Sequence, residues 1–147
     1  MAEAEKALNK TSFLGIFGVG KAQKYEDAAD LFIKAGNAYK LAQEFALAGG
    51  AFRKAAENQQ KADGSQNDMI KSIEESGNCY KMGLDHNKAV DAYNEAIMYY
   101  EESQRYGLCA KLQKDIAEMY ESVADYSSAV GCYQKVIRYF LSNAFFM

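Results

Sequence analysis

Small and aromatic residues recur along this chain in one fixed order, and the order is repeated three times at offsets of 40 to 41 residues. In each copy a small residue stands three positions before a tyrosine, an alanine follows the tyrosine by nine positions, and an aromatic residue follows it by thirteen. The three tyrosines are Tyr39, Tyr80 and Tyr120. Because small residues let two helices approach closely and aromatic residues fill the space one turn away, the pattern predicts pairs of antiparallel helices. The predicted pairs are residues 25–42 with 45–60, 66–82 with 86–103, and 106–123 with 126–142.

The spacing is similar to the tetratricopeptide pattern, although the period is longer than the usual 34 or so residues and the closing proline is absent. We therefore predict an all-α fold: a right-handed superhelical array of antiparallel helix pairs, tetratricopeptide-like, with long repeats of about 40 residues. Helical-hairpin arrays of about 40–47 residues share the length but not these offsets. Residues 1–24 are expected to form a short N-terminal helix and an apolar membrane-facing loop, residues 25–142 the three helix pairs, and residues 143–147 a tail.

Composition narrows the class of protein further. The chain has no proline and only 11 glycines, whereas sandwiches and barrels need many turns built from those residues, so an all-β fold is excluded. A formal charge of −3 argues against a nucleic-acid partner. No stretch reaches the ~20 apolar residues of a membrane span, and the N-terminus lacks the apolar core of a secretory signal, so we expect a cytoplasmic protein. The three cysteines fit neither a zinc site nor a disulfide framework and are expected to be reduced core residues.

A glycine-rich segment at residues 11–20 concentrates large apolar side chains. These residues are Phe13, Leu14, Ile16 and Phe17. Their spacing is too irregular for an amphipathic helix, so they need a non-aqueous partner. The favoured interpretation is a wedge that enters one face of a bilayer, with Lys10, Lys21 and Lys24 near anionic headgroups. The alternative is a cap over the open end of the first helix pair.

Lysines collect at one edge of the face that the first helix of each pair leaves free. Counting from the repeat tyrosines places Lys71, Lys111 and Lys114 together, where an extended acidic partner could lie. A solvated helix face is the competing interpretation. A different functional alternative is a generic tetratricopeptide-like scaffold that clamps the carboxylates of a short peptide. The residues available for such a clamp are Asn37, Lys40, Asn78 and Lys81.

No set of residues predicts catalysis. The segment from Gly15 to Lys21 matches part of a phosphate-binding loop, but Ala22 stands where a magnesium-binding hydroxyl belongs, and the pattern predicts no parallel sheet. The single histidine, His86, lies in a predicted turn. We therefore expect no enzymatic activity, no catalytic residue, no cofactor and no metal site.

Several segments together resemble the SNAP family, the soluble attachment proteins that recruit the N-ethylmaleimide-sensitive ATPase, NSF, to SNARE complexes. The alpha/beta branch fits best, and the resemblance runs in register from residue 2 to about residue 140. The segments that carry it are Ala2-Glu3-Ala4-Glu5-Lys6, Ser12-Phe13-Leu14-Gly15-Ile16-Phe17-Gly18, Ala35-Gly36-Asn37-Ala38-Tyr39-Lys40-Leu41-Ala42, Ala48-Gly49-Gly50-Ala51-Phe52 and Asp115-Ile116-Ala117-Glu118-Met119-Tyr120-Glu121.

The resemblance implies an adaptor of vesicle trafficking that binds SNARE complexes and recruits NSF for their disassembly. It matches Arg105 and Lys111 to basic positions that face the SNARE complex, and the lysine pattern adds Lys71 and Lys114 to this candidate surface. It assigns the apolar loop to peripheral contact with the cytosolic face of a membrane. The ATPase-activating region of the family is C-terminal and is expected to be missing here, since the chain is about half the family's usual length.

The last helix pair is predicted to lack the neighbour that would normally cover its apolar face. Its final apolar residues are Tyr139, Phe140, Leu141, Phe145, Phe146 and Met147. Either residues 139–147 fold back as a cap or the exposed patch drives self-association, and we expect the latter.

Overall fold

The computed structural model describes residues 2–6 and 20–146, with side chains described as far as residue 143, and every regular element in these ranges is an α-helix. The first helix, α1, includes residues 2–6. The others are α2 Lys21–Leu41, α3 Phe45–Lys61, α4 Gln66–Met82, α5 His86–Glu102, α6 Tyr106–Ser122 and α7 Tyr126–Phe146. The internal ends of the predicted helices agree with these bounds to within one residue, whereas α2 begins earlier and α7 ends later than the sequence pattern predicts.

The chain forms two compact units, Met1–Ala89 and Val90–Met147, and the division falls within α5. In the first unit α2 packs on α3, and α3 packs on α4. In the second unit α6 packs on α7. Consecutive helices are joined by short turns, so packed neighbours run antiparallel, and the fold is the predicted all-α, tetratricopeptide-like array of helix pairs.

Two glycines of the first unit allow aromatic rings to lie directly on a helix backbone. A Cβ built on Gly36 of α2 would lie 2.7 Å from a ring carbon of Phe52 in α3, and one on Gly49 of α3 would lie 2.7 Å from a ring carbon of Tyr80 in α4. The hydroxyl of Ser76 in α4 donates a 2.8 Å hydrogen bond to the carbonyl oxygen of Gly49. The ring of the repeat tyrosine Tyr80 therefore packs on α3 of the preceding helix pair, a contact that the sequence analysis does not identify.

The N-terminal helix also contributes to the first unit. Ala4 of α1 is buried with Phe32 of α2 and Ala55 of α3 in one apolar cluster. Beside this cluster the ammonium of Lys54 lies 3.4 Å from the Glu5 carboxylate. Residues 2–6 thus pack on the first helix pair, while the apolar residues Phe13, Leu14, Ile16 and Phe17 lie outside the described residues.

The core of the second unit is built from small residues and branched or aromatic partners. Tyr93 of α5 and Ile116 of α6 are among the most completely buried side chains. The thiol of Cys109 lies 3.8 Å from the carbonyl oxygen of Ile97, which it faces as a weak donor. As predicted, the cysteines are unpaired and buried, at positions 79, 109 and 132.

All five turns between α2 and α7 use the same backbone conformation. One residue in each turn has φ between 53° and 63°, the left-handed region. After α2, the N–H of Gln43 donates to the carbonyl of Lys40 at 3.0 Å and the N–H of Glu44 donates to the carbonyl of Tyr39 at 2.9 Å. These two hydrogen bonds together form the Schellman motif, which usually places glycine at the left-handed position. Here the residues at that position are Gln43, Asp63, Leu84, Gln104 and Ala124.

The last helix continues through the residues that the sequence analysis assigned to a tail. Because α7 is helical as far as Phe146, residues 139–146 do not fold back as a cap. Phe140 and Leu141 are exposed, as predicted, whereas Tyr139 is half-buried. The side chains of Phe145, Phe146 and Met147 lie outside the described part of the chain.

Candidate binding surfaces

The clearest basic surface lies on α6. This helix buries Cys109, Leu112 and Ile116 on one side, and its opposite side carries Lys111 and Lys114 one turn apart. Both lysines are exposed, and neither forms an ion pair with any residue that the structure describes. Two neighbouring cations without an internal partner can therefore meet an acidic ligand without breaking an existing contact.

Arg105 lies at the N-terminus of α6, where it is the N-cap residue. Its backbone carbonyl accepts hydrogen bonds from the N–H groups of Leu108 and Cys109 at 3.1 and 3.2 Å. The guanidinium lies 5.2 Å from the ring centre of Tyr100, a distance suited to a cation–π contact. Arg105 is thus exposed but held at the turn, and it is not part of the adjacent pair formed by Lys111 and Lys114.

Lys71 occupies the same repeat position on α4 that Lys111 occupies on α6, since the two lie 40 residues apart. Its side chain is exposed and has no ion-pair partner within the described ranges. Lys71 belongs to the first compact unit and the other three basic residues to the second. The repeat therefore presents a lysine at this position in each unit.

Three of the four residues proposed for a peptide-carboxylate clamp already have partners in the structure. The ammonium of Lys40 on α2 forms a salt bridge with the carboxylate of Glu75 on α4, and the amide of Asn78 donates to the other Glu75 oxygen at 3.2 Å. The hydrogen bond that Lys40 donates to Glu75 raises the pKa of Lys40 above its ordinary value. Lys81 also has a partner. Glu75 is absent from the sequence-based list because the repeat alignment compares like positions and not contacts between helices.

A groove on the second unit is a surface that the sequence analysis misses. The helices α5, α6 and α7 enclose a space of 430 Å³. The rings of Tyr106 and Tyr139 stack in it with centres 6.3 Å apart, beside the exposed cations Lys135 and Arg138. Burial and a hydrogen bond donated to Glu101 raise the pKa of the Tyr139 hydroxyl. The repeat offsets do not predict this groove, because they assign no ligand-facing role to these positions of α5 and α7.

The first turn of α2 is basic and directly follows the predicted membrane loop. It contains Lys21 and Lys24 and no acidic residue, and the N-cap Gly20 supplies no side-chain hydrogen bond. The helix dipole adds positive potential to that of the two lysines. This end of α2 is therefore suited to an anionic neighbour, while the loop itself lies outside the described residues.

Neither a metal centre nor a membrane-spanning helix is found in the part of the chain that the structure describes. No three His, Cys, Asp or Glu side chains there are grouped closely enough to hold a metal ion. None of the described helices combines the length and the apolar character needed to cross a bilayer. Burial raises the pKa of the Cys79 and Cys109 thiols to about 11, which keeps both protonated at neutral pH.

Comparison with known proteins points to one family. The family model described as "Soluble NSF attachment protein, SNAP" matches residues 1–145. The alpha-soluble NSF attachment protein of Saccharomyces cerevisiae is 31% identical over 131 residues, which are 88% of this chain and 44% of that protein. The beta-soluble NSF attachment protein of Bos taurus is 34% identical over 143 residues, covering 95% of this chain and 47% of that protein. The vesicular-fusion protein SEC17 of Komagataella phaffii is 30% identical over 144 residues, covering 92% of this chain and 48% of that protein.

The chain spans about half the length of the curated relatives it matches. Among solved structures, the crystal structure of BtubC (BKLC) from P. vanneervenii aligns with a TM-score of 0.58 and 14% identity. The alignment covers 95% of this chain and 55% of that chain. At this identity the likeness concerns the fold alone, and it agrees with an array of helix pairs.

Proposed function

Because this chain belongs to the SNAP family, we propose that it is a non-catalytic adaptor of vesicle fusion that binds SNARE complexes at a membrane surface. The observation that carries the proposal is the family match, which extends over residues 1–145. The relatives are attachment and vesicular-fusion proteins by name. The helix array supports such a role, since it offers exposed side chains along rigid helices to an elongated partner.

The proposed SNARE contact consists of Lys111 and Lys114, with Arg105 at the N-terminus of the same helix and Lys71 at the matching position of α4. Their support is exposure and, for the lysines, the absence of internal partners among the described side chains. Rim charges of this kind act mainly on the rate of association and are screened over ~8 Å at physiological salt. Binding to an acidic helical bundle should therefore weaken steeply as ionic strength rises.

The proposed membrane contact is the loop that carries Phe13, Leu14, Ile16 and Phe17, assisted by the basic first turn of α2. Anionic lipid headgroups would be attracted by Lys21 and Lys24 and by the positive end of the dipole of α2. The apolar residues would enter the interface beside those headgroups. Attachment of this kind is peripheral and reversible, and it would place the chain at the cytosolic face of a membrane.

Recruitment of NSF is the part of the family role that we assign to residues outside this chain. The relatives are about twice as long as the matched region. The resemblance places the ATPase-activating end in the C-terminal part of the family. The 147-residue chain is therefore proposed to bind a SNARE complex without stimulating ATP hydrolysis by NSF.

The deciding experiment is binding to a purified, assembled SNARE four-helix complex at about 50 and 150 mM salt, spanning screening lengths above and near 8 Å. The variant Lys111→Glu with Lys114→Glu should lower binding by about tenfold or more at the lower salt concentration while the helical circular dichroism stays unchanged. The matched control is Lys135→Glu with Arg138→Glu, an equal change of charge at the groove of the same unit. Equal loss in both variants would point to net charge alone, and loss only in the control would move the contact to the groove.

A further inference from the structure

The groove between α5, α6 and α7 has at its floor a polar side chain that the fold itself does not use. Gln113 of α6 is 3% exposed, and its amide has no hydrogen-bond partner among the residues that the structure describes. At the same position of the preceding repeat, 40 residues earlier, α4 carries Ile73, which is 1% exposed. A buried amide without a partner is unfavourable, whereas isoleucine fills such a position with no polar group to satisfy. The amide of Gln113 is therefore available to a ligand in the groove.

Two cations stand at the rim of the same groove. Lys135 and Arg138 of α7 are exposed, lie one turn apart and form no ion pair with any side chain in the described ranges. The residues at the matching positions of α5 are Glu95 and Met98, so this positive charge belongs to the later repeat alone. One carboxylate, that of Glu101, also lines the groove. The cations therefore exceed the acids around it, which favours an anionic ligand.

The walls of the groove are aromatic and apolar. The rings of Tyr106 and Tyr139 stack with their centres 6.3 Å apart and their planes 19° from parallel. The Tyr139 hydroxyl donates a hydrogen bond to Glu101, which holds the ring in place and engages the carboxylate. Ile97 is buried beside the rings, and Met98 is exposed at the edge. The groove thus offers an apolar contact between an available amide at the floor and two cations at the rim.

This groove is separate from the other surfaces of the second unit. Successive residues of a helix lie about 100° apart around its axis, so Lys111 lies roughly 160° around α6 from Gln113. On α7, the centre of the face that lines the groove lies roughly 130° from the exposed residues Val130 and Ile137. The groove is therefore distinct both from the lysine pair proposed for the SNARE contact and from the exposed apolar face of α7.

We propose that this groove binds a short acidic peptide segment of a protein partner. A carboxylate of the peptide pairs with Lys135 and Arg138, and a neighbouring aromatic or long apolar side chain packs against the tyrosine rings. The Gln113 carboxamide is both donor and acceptor, so it can pair with a peptide group of the ligand backbone. The space of 430 Å³ is large enough for such a group of side chains, and the exposed rim lets the peptide continue beyond it on either side.

Selection of a phage-displayed library of random dodecapeptides on the immobilised full chain tests the class of ligand without assuming a sequence. Enriched peptides should combine Asp or Glu with a neighbouring aromatic residue, leucine or methionine. Absence of enrichment over the bare support, or enrichment of peptides that lack acidic residues, overturns the proposal. The selection contains no SNARE complex, so its outcome is independent of the SNARE contact proposed above.

Fluorescence anisotropy with a labelled copy of the most enriched peptide then tests the place of binding. Lys135→Gln with Arg138→Gln should weaken binding about tenfold or more, because charge-assisted hydrogen bonds to the carboxylate are lost. Gln113→Ile should weaken binding roughly three- to tenfold, because one buried hydrogen bond is lost. The same substitution should keep or raise the urea midpoint, since isoleucine stands at this position in α4.

The matched control is Lys111→Gln with Lys114→Gln, an equal change of charge on the other side of α6. It should leave peptide binding unchanged to within about twofold, because exposed charges that far from the groove are screened by salt. Equal loss in both double variants, or full binding by Gln113→Ile, overturns the proposal. A clear fall of the urea midpoint in Gln113→Ile would also contradict it, because the amide would then serve the fold and not a ligand.

Discussion

The ring of Phe52 occupies the space that a side chain at position 36 would need. A Cβ on Gly36 would lie 2.7 Å from Cε2 and 2.9 Å from Cδ2 of that ring, closer than van der Waals contact allows. Phe52 is itself buried with Ala48 and Cys79, so the ring has little room to move away. The distance between α2 and α3 therefore depends on the absence of a single methyl group.

Replacement of Gly36 by alanine should lower the free energy of unfolding by about 1–3 kcal/mol, because overpacking outweighs the gain in helix propensity. Urea denaturation followed by circular dichroism measures the change. Gly131→Ala is the control, since a Cβ there meets no atom within 4 Å. That substitution should raise stability by roughly 0.5–1 kcal/mol. Two equal changes would show that helix propensity alone decides the outcome at both positions.

Ser76→Ala should cost about 1 kcal/mol of stability, because it removes the buried hydrogen bond that joins α4 to the Gly49 carbonyl of α3. Ser122 is a suitable control. It is exposed at the end of α6, where its hydroxyl donates to the Met119 carbonyl at 2.6 Å. Its replacement by alanine should change stability by less than about 0.5 kcal/mol. A larger loss at Ser122 than at Ser76 would contradict the importance of the contact between α3 and α4.

The native thiols should react slowly with a maleimide at pH 7.5. With a pKa raised from 9.0 to about 11, Cys79 and Cys109 carry roughly 100-fold less thiolate than an ordinary cysteine at that pH, and burial slows the reaction further. Mass spectrometry after timed labelling should show at least ~100-fold protection of both residues relative to the chain in guanidinium. Rapid labelling of either one in the native state would mean that its helix pair opens readily.

The same pKa shifts predict a loss of stability in alkali. The folded-state pKa of Cys79 and of Cys109 is raised from 9.0 to about 11, so the unfolded thiols ionise first as the pH rises. The contribution of these thiols is therefore complete below about pH 9 and is lost progressively toward pH 11. Denaturation midpoints measured across this interval should fall less steeply for Cys79→Ala than for the parent chain.

Phe13→Ser with Phe17→Ser should greatly reduce co-sedimentation with anionic liposomes, because two side chains that would enter the interface are replaced by polar ones. Leu41→Ser with Met82→Ser provides a control, since both residues are exposed apolar side chains outside the loop. Loss should be confined to the Phe13 and Phe17 variant. Full retention of binding in that variant would favour the loop as a cap over the first helix pair.

The helices could be predicted from the sequence because the spacing of small and aromatic residues is a property of each helix pair and is repeated. The contacts that individual side chains make between helices could not be predicted in this way. Glu75 holds Lys40 across α2 and α4, and an alignment of equivalent positions gives no sign of a contact between different repeats. Tyr80 illustrates the same limit, since its ring rests on Gly49 of the previous pair.

The basic residues were only partly predictable for a related reason. Lys111 and Lys114 follow directly from helical periodicity, because exposed positions on a regular helix can be counted. Arg105 precedes the helix, and its position depends on the turn and on Tyr100. Lys135 and Arg138 gained importance only when the packing of α5, α6 and α7 revealed the groove beside them.

The five turn residues with left-handed backbone are positions at which substitution could raise the thermal stability of this fold. Each of Gln43, Asp63, Leu84, Gln104 and Ala124 adopts a backbone conformation that costs an L-residue roughly 1 kcal/mol and costs glycine almost nothing. The turn hydrogen bonds come from the backbone and would survive a change of side chain. A lineage facing higher temperature could therefore become more heat-resistant by single glycine substitutions at solvent-exposed turns, leaving every helix face and every binding surface unchanged.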